Sequence, residues 1–120
     1  MQSIPQLLEQ LRAVSPAFRE ALADHLAFNG ELLPYVLLED FRRLWLVSHA
    51  DSDRSQVAEV ILTLEEGFAG GDEDSRNLIA IALLEGLGDD GGEHTIRRLL
   101  GPQLQAAIKR MESWSPQPPT

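Results

Sequence analysis

The chain has 120 residues, of which 43% are hydrophobic and 24% are charged, and its formal net charge is −9. The absence of cysteine excludes disulfides, zinc–thiolate sites and a cysteine nucleophile, and the acidic balance argues against nucleic acids and anionic membranes, which bind basic surfaces. The N-terminus has no signal-peptide pattern, and the longest apolar run has seven residues against about 18 for a membrane span, so we expect a soluble, cytoplasmic protein.

Capping residues mark the first two predicted helices. Ser3 can cap the first helix, and Ser15-Pro16 opens the second, which ends at Asn29-Gly30. Each helix carries an apolar stripe that we expect to face the core. The two stripes are Ile4, Leu7, Leu8 and Leu11, and Phe18, Leu22 and Leu26.

The third and fourth predicted helices follow the same pattern. Pro34 fits the first turn of a helix that runs to about Ser48, and Asp53 or Ser55 caps the next, which ends at Gly70-Gly71. Their apolar stripes are Leu37, Leu38, Phe41, Leu44 and Trp45, and Val57, Val60, Ile61, Leu64 and Phe68.

The fifth predicted helix contains the seven-residue apolar run from Leu78 to Leu84 and begins at Asp72 or Asp74. A buried strand is the alternative for so short a run, but the alanines, the capping residues and the continuation to Leu87 favour a helix. Its apolar residues lie on all sides, which is typical of a helix enclosed by others. The glycine-rich loop 88–92 ends it.

A last helix is predicted from about Glu93, with a kink or break at Gly101-Pro102. Its apolar residues are Ile96, Leu99, Leu100, Leu104, Ala107, Ile108, Met111 and Trp114. We therefore expect an all-α fold, a compact bundle of five to six helices, with residues 1–114 as a single domain. Residues 115–120 form a proline-rich tail that we expect to be disordered.

The fifth helix is expected to be the centre of the core. The predicted central residues are Leu78, Ile81, Leu84 and Leu87, and the residues predicted to pack on them are Phe41, Val60, Ile61, Leu64 and Leu104.

The negative charge is concentrated in the middle of the chain. Residues 51–93 contain 12 acidic and two basic residues, a net charge of −10, whereas residues 1–50 carry −2 and residues 94–120 carry +3. Two acidic groups flank the fifth helix, and we take them as candidate partner-binding residues: Asp72, Glu73, Asp74, Asp89, Asp90 and Glu93. A basic protein partner would fit this charge; the alternative is a solvated acidic surface.

Catalytic and metal-binding patterns are missing from the sequence. His49 with Asp51 and Asp53 is a conceivable metal cluster, but the segment lacks the glycine and distal glutamate of a calcium loop. The adjacent acids Glu65-Glu66 and Glu39-Asp40 diverge on a helix and are expected to be solvated. No phosphate-binding loop is present. We expect no enzyme activity, no metal and no cofactor.

Three segments carry a resemblance to a known family: ELLPYVLLEDFRRLW, SRNLIAIALLEGL and IRRLLGPQLQAAI. Together they resemble a family of small bacterial all-helical proteins, some of them encoded beside polymorphic toxins. The pairing of the fourth and fifth helices also resembles a HEAT-like repeat. The resemblance implies an immunity protein that binds and neutralises a basic toxin domain, and it assigns no site residues. The alternative is a general helical adaptor or structural protein without an inhibitory role.

Overall fold

A computed structural model describes residues 1–113, which form seven α-helices and no β-strand. The helices are α1 (Ile4–Val14), α2 (Pro16–Asn29), α3 (Pro34–Phe41, continuing as Arg42–Leu46 and Val47–His49), α4 (Arg54–Gly70), α5 (Glu73–Ile79, continuing as Ala80–Glu85), α6 (Gly92–Leu99) and α7 (Pro102–Ser113). The predicted all-α fold is confirmed. Trp114 and the tail 115–120 lie outside the described residues.

The predicted number of five to six helices is wrong by one. Of the two alternatives predicted at Gly101-Pro102, a kink or a break, the structure has the break: Leu100 has extended backbone dihedrals, and Pro102 begins a new helix. Proline has no N–H for the preceding turn and its ring clashes with that turn, so the chain cannot continue as one helix.

The predicted caps of α1, α2 and α5 are confirmed. The Ser15 hydroxyl accepts the N–H of Phe18 at 3.0 Å, and Ser3 forms a capping box at the start of α1. Asp72 caps α5 through its carboxylate, as described below. Gly30 ends α2 with a left-handed φ of 73°, a conformation that glycine adopts without strain.

The core lies where the sequence predicts it, with exceptions. All the residues predicted for its centre are buried except Ile81, which is 47% exposed. The expectation that α5 is enclosed on all sides is therefore wrong. Leu44 and Leu26, also predicted to face inward, are 66% and 43% exposed.

Two π-helical turns explain the exposure of Leu44 and Ile81. In α3 the N–H of Val47 donates to the carbonyl of Arg42, five residues back, so the turn holds one residue more than an α-helical turn. Leu46, five residues after Phe41, is therefore buried on the same face of the helix as Phe41. The turn at Ala80–Glu85 has the same effect in α5, where Leu83 is buried five residues after Leu78 and Leu84 five residues after Ile79.

The exposure of Leu26 has a different cause. The neighbouring residue His25 takes the inward position on α2 and is buried. Its Nε2 accepts the N–H of Leu33 at 3.0 Å, which holds the α2–α3 connection against α2. A hydrogen-bonding side chain thus occupies the place predicted for an apolar one.

Arg42 links the two π turns. Its side chain is almost fully buried and donates from Nε to the carbonyl of Ala82 at 3.1 Å and from Nη1 to that of Gly86 at 3.3 Å. Carbonyls of this kind lose helical partners where a helix changes its hydrogen-bond spacing or ends, and the guanidinium supplies donors for them. The contact fixes α3 against the second half of α5.

Candidate protein-interaction surfaces

The first predicted acidic group lies at the start of α5. The Asp72 carboxylate accepts the N–H of Ser75 at 2.8 Å, so this acid caps the helix. Its own N–H donates to the carbonyl of Gln2 at 2.9 Å. Glu73 and Asp74 are exposed in the first turn, where the helix dipole favours negative charge.

The second predicted group lies in the loop after α5. Glu93 is partly buried and its carboxylate accepts the N–H of Gly88, so it closes the loop. Asp89 is mostly exposed; its Oδ1 is 3.4 Å from Nδ1 of His94 and 3.9 Å from Nε of Arg97. Asp90 is exposed.

Arg97 organises this loop. It donates to the carbonyls of Gly88 and Leu87, the latter at 2.7 Å, and it forms an ion pair with Glu112 at 3.2 Å. A cation at the C-terminal end of α5 is favoured by the helix dipole, and it offsets the charge of Asp89. The positive charge that balances Asp89 therefore comes from Arg97 on α6.

The structure does not bring the six acids together. The two groups lie at opposite ends of α5, about 20 Å apart at 1.5 Å per residue. That distance exceeds the Debye length in physiological salt, about 8 Å, so the groups act as two separate patches. Glu73, Asp74 and Asp90 are the exposed acids of the six without a hydrogen bond or ion pair from their side chains among residues 1–113.

Further exposed acids extend the negative surface beyond the predicted residues. Glu59 and Glu66 lie two turns apart on α4, and Glu85 ends α5. Of the 12 acids in residues 51–93, only Asp89 forms an ion pair within the described part of the chain. Most of the charge in this segment is therefore not neutralised by the fold.

The expectation that Glu65-Glu66 is a solvated pair is wrong for Glu65. This side chain is buried, and its carboxylate accepts the N–H of Gln103 at 2.6 Å and of Leu104 at 3.0 Å. It caps α7 from α4, so it takes no part in the surface. Glu66 is exposed, as predicted.

Exposed apolar side chains on α2, α3 and their connection are a second feature, which the sequence did not predict. Six of the nine large hydrophobic residues that are exposed in residues 1–113 fall between positions 26 and 44. They are Leu26, Phe28, Leu32, Tyr35, Val36 and Leu44. Phe28 is 90% exposed, the highest value among them. Apolar exposure is thus concentrated on one helix pair.

An open groove of about 440 Å³ lies between these two helices; we call it the α2–α3 groove. Its apolar lining consists of Ala17, Ala21, Phe28, Leu37, Phe41, Leu44 and Trp45. Its polar lining consists of Glu20, Asp24, His25, Asn29 and Asp40. Three of these five polar residues are acids, and no lysine or arginine is among the lining residues.

Aromatic stacking fixes the orientation of Trp45 in the groove. The rings of Phe41 and Trp45 stack with centroids 5.2 Å apart, and the ring of His49 stacks on that of Trp45 with centroids 5.0 Å apart. Phe18 meets Phe41 edge-on at 5.2 Å. Such pairs add about 0.5–1.5 kcal/mol each beyond apolar burial, so the groove is held rigidly.

The sequence contained one signal for this groove. The apolar residues of α2 are too many for one stripe, since Phe28 is out of phase with Phe18 and Leu22. No pattern in the sequence marked Leu44 and Trp45 as groove residues, because both fit a regular α-helical stripe.

The conceivable metal cluster of His49, Asp51 and Asp53 does not form, because the side chains of His49 and Asp51 contact other groups. Nδ1 of His49 lies 2.9 Å from the carbonyl of Trp45, and the Asp51 carboxylate accepts the Thr95 hydroxyl at 2.6 Å. Over residues 1–113, no group of three or more His, Asp or Glu side chains is arranged to hold a metal ion. None of the helices in that range combines the length and apolar character of a membrane span.

Comparison with known proteins yields one match. The profile of a family described as a domain of unknown function, DUF7674, matches residues 8–115. No curated protein and no solved structure matches the chain significantly. The matched range includes both acidic groups and the whole α2–α3 groove.

Proposed function

The chain belongs to the DUF7674 family, and we propose that it acts as an acidic protein-interaction module that binds a basic protein. The partner we favour is a toxin domain, which this protein would neutralise as an immunity protein. In this proposal the chain has no enzymatic role and uses no metal or cofactor.

The observation that carries the proposal is the concentration of exposed acids on α4 and α5 that the fold leaves without ion pairs. A protein gains stability when exposed acids are spread among bases, and clustering them costs self-repulsion. Glu59, Glu66, Glu73 and Asp74 are exposed and form no ion pair within residues 1–113. Such a surface accelerates the approach of a basic partner and disfavours acidic ones.

The adaptor hypothesis is the second candidate. The HEAT-like pairing proposed for α4 and α5 favours it, because helical repeats present extended surfaces to protein partners. The two candidates differ in the partner: an immunity protein abolishes the activity of a toxin domain, whereas an adaptor leaves its partner active.

The test begins with capture of partners by the tagged protein in its native host, with identification by mass spectrometry. The association rate of the purified partner is then measured by stopped flow over a range of salt concentrations. We expect a basic partner whose association slows as salt rises, because salt screens the attraction.

Two variants with equal net charge give the control. Neutralising Glu59, Glu66 and Glu73 to Gln changes the charge from −9 to −6, since three negative charges are lost. The matched variant neutralises three exposed acids outside residues 51–93, Glu9, Glu31 and Glu39, and leaves Glu112 in its ion pair with Arg97. Only the first should slow association about tenfold or more. Equal slowing in both variants would show that net charge alone determines the association rate, which would contradict the proposed binding surface.

A further inference from the structure

We propose that the α2–α3 groove is the anchoring site for a basic amphipathic helix of the partner. Apolar side chains of that helix enter the groove, and its Lys or Arg residues reach the acids along the edge. The inference rests on the proposed function for the basic character of the partner, but it places the apolar contact on a different surface.

The apolar part of the inference comes from Phe28 and Leu44. Both line the groove, and they are 90% and 66% exposed. Contiguous apolar patches with polar edges mark interaction sites in soluble proteins. The groove volume of about 440 Å³ is sufficient for several side chains of an inserted helix.

The charge of the groove selects the kind of partner. Glu20 and Asp24 line it and form no ion pair in residues 1–113, while Asp40 is 2.8 Å from the Arg43 guanidinium. A second copy of this chain carries the same charge of −9 and is disfavoured as the occupant. Lysine and arginine beside the apolar anchors of an amphipathic helix complement these acids.

The groove is also preorganised. Trp45 is held by stacking on Phe41 and His49, and Leu44 is turned outward by the π turn at Arg42–Leu46. π turns are frequent at functional sites, because they redirect side chains at a cost to helix regularity. A rigid groove loses little entropy on binding, which favours affinity.

The experiment uses Trp45 as the reporter. The chain has two tryptophans, so W114F leaves Trp45 as the only one. The probe is a synthetic amphipathic helical peptide of leucine and lysine, and its control is a peptide of the same composition with the leucines spread on all sides. We expect the amphipathic peptide to change the Trp45 emission and to bind at least about tenfold more tightly than the control.

Matched variants locate the contact. F28S and L44S should each weaken peptide binding about tenfold, as expected for apolar anchors. L62S should change it less than twofold, because Leu62 is 58% exposed on α4 and lies outside the groove. Since Phe28 and Leu44 are exposed, these variants are expected to fold, which circular dichroism verifies.

The outcomes separate this inference from the proposed function. Weakening by F28S and L44S but not by L62S supports the groove. Binding that survives F28S and L44S but is lost when Glu59, Glu66 and Glu73 are neutralised overturns the groove and leaves the acidic surface standing.

Two further measurements test the occupant. If E20Q with D24N and added salt leave the affinity unchanged, the basic character of the helix is overturned. A dimer in sedimentation that F28S dissociates would assign the groove to a second copy and also overturn the inference.

Discussion

Two buried charged side chains in this protein bind backbone groups rather than opposite charges. Glu65 accepts two N–H groups at the start of α7, and Arg42 donates to two carbonyls of α5. Hydrogen bonds that involve a charged group are about twice as strong as neutral ones. A buried charge satisfied in this way serves as a connection between helices.

We predict that E65A lowers the free energy of unfolding by about 1–3 kcal/mol, because it leaves the first N–H groups of α7 without their acceptor. The matched control is E66A, which removes the adjacent exposed acid and should change it by less than about 0.5 kcal/mol. Urea denaturation of the two variants makes the comparison. Equal losses would show that the Glu65 carboxylate contributes no more than a solvated one.

The identity of the buried acid could not be predicted from the sequence. Glu65 and Glu66 are the same residue type at neighbouring positions on one helix. What distinguishes them is the start of α7, which is 38 residues away in the chain and meets α4 only in the folded state. By contrast, the cap role of Asp72 depends on Ser75, three residues away, and local sequence reduced the choice of cap to Asp72 or Asp74.

At the scale of elements, most helix ends were predicted, whereas the phase of the buried positions was not. The exception is the start of α4, where Asp53 is the N-cap residue but its side chain makes no capping hydrogen bond. Ser3, Ser15 and Gly30 act through bonds to residues within one turn, so their patterns are visible in the sequence. The π turns of α3 and α5 have no such local signature. The α5 turn is held by Arg42 of the α3 turn, which donates to the carbonyls of Ala82 and Gly86, about 40 residues away in the chain.

A pair of variants in α5 tests the phase shift. L84A should lower the free energy of unfolding by about 2–5 kcal/mol, because Leu84 is 2% exposed and its truncation leaves a cavity. I81A should cost about 1 kcal/mol or less, since Ile81 is 47% exposed. Urea melts at one temperature compare them. A regular α-helix in this segment would give Ile81 the larger loss.

The whole molecule separates two kinds of surface. Most of the negative charge that the fold leaves unpaired lies on α4, α5 and the following loop, while six of the nine exposed large apolar side chains among residues 1–113 lie on α2, α3 and their connection. The first was visible as a compositional bias of residues 51–93. The α2–α3 groove was not, because it forms only when two helices pack with Phe28 and Leu44 on the side away from the core.

We predict that salt stabilises the folded protein. Screening reduces the repulsion among the unpaired acids of residues 51–93, so the midpoint of thermal unfolding should rise between 10 and 300 mM sodium chloride at about pH 7. The variant with Glu59, Glu66 and Glu73 neutralised should show a smaller rise. A midpoint that falls with salt in the unaltered protein would indicate that net attraction, not repulsion, dominates its surface charges.

The π turn of α3 also determines where the chain tolerates a change of length. Each residue of an α-helix turns the chain by about 100°, and the π turn accommodates one extra residue without that rotation. Deleting Arg43 would restore α-helical spacing and place Leu46 four residues after Phe41, so Leu46 and Ala50 would stay in the core. A deletion in a regular part of the helix would instead rotate the residues after it by about 100°, out of phase with the core. The π turn is therefore the part of α3 in which homologues can gain or lose a residue while the apolar pattern on either side is kept.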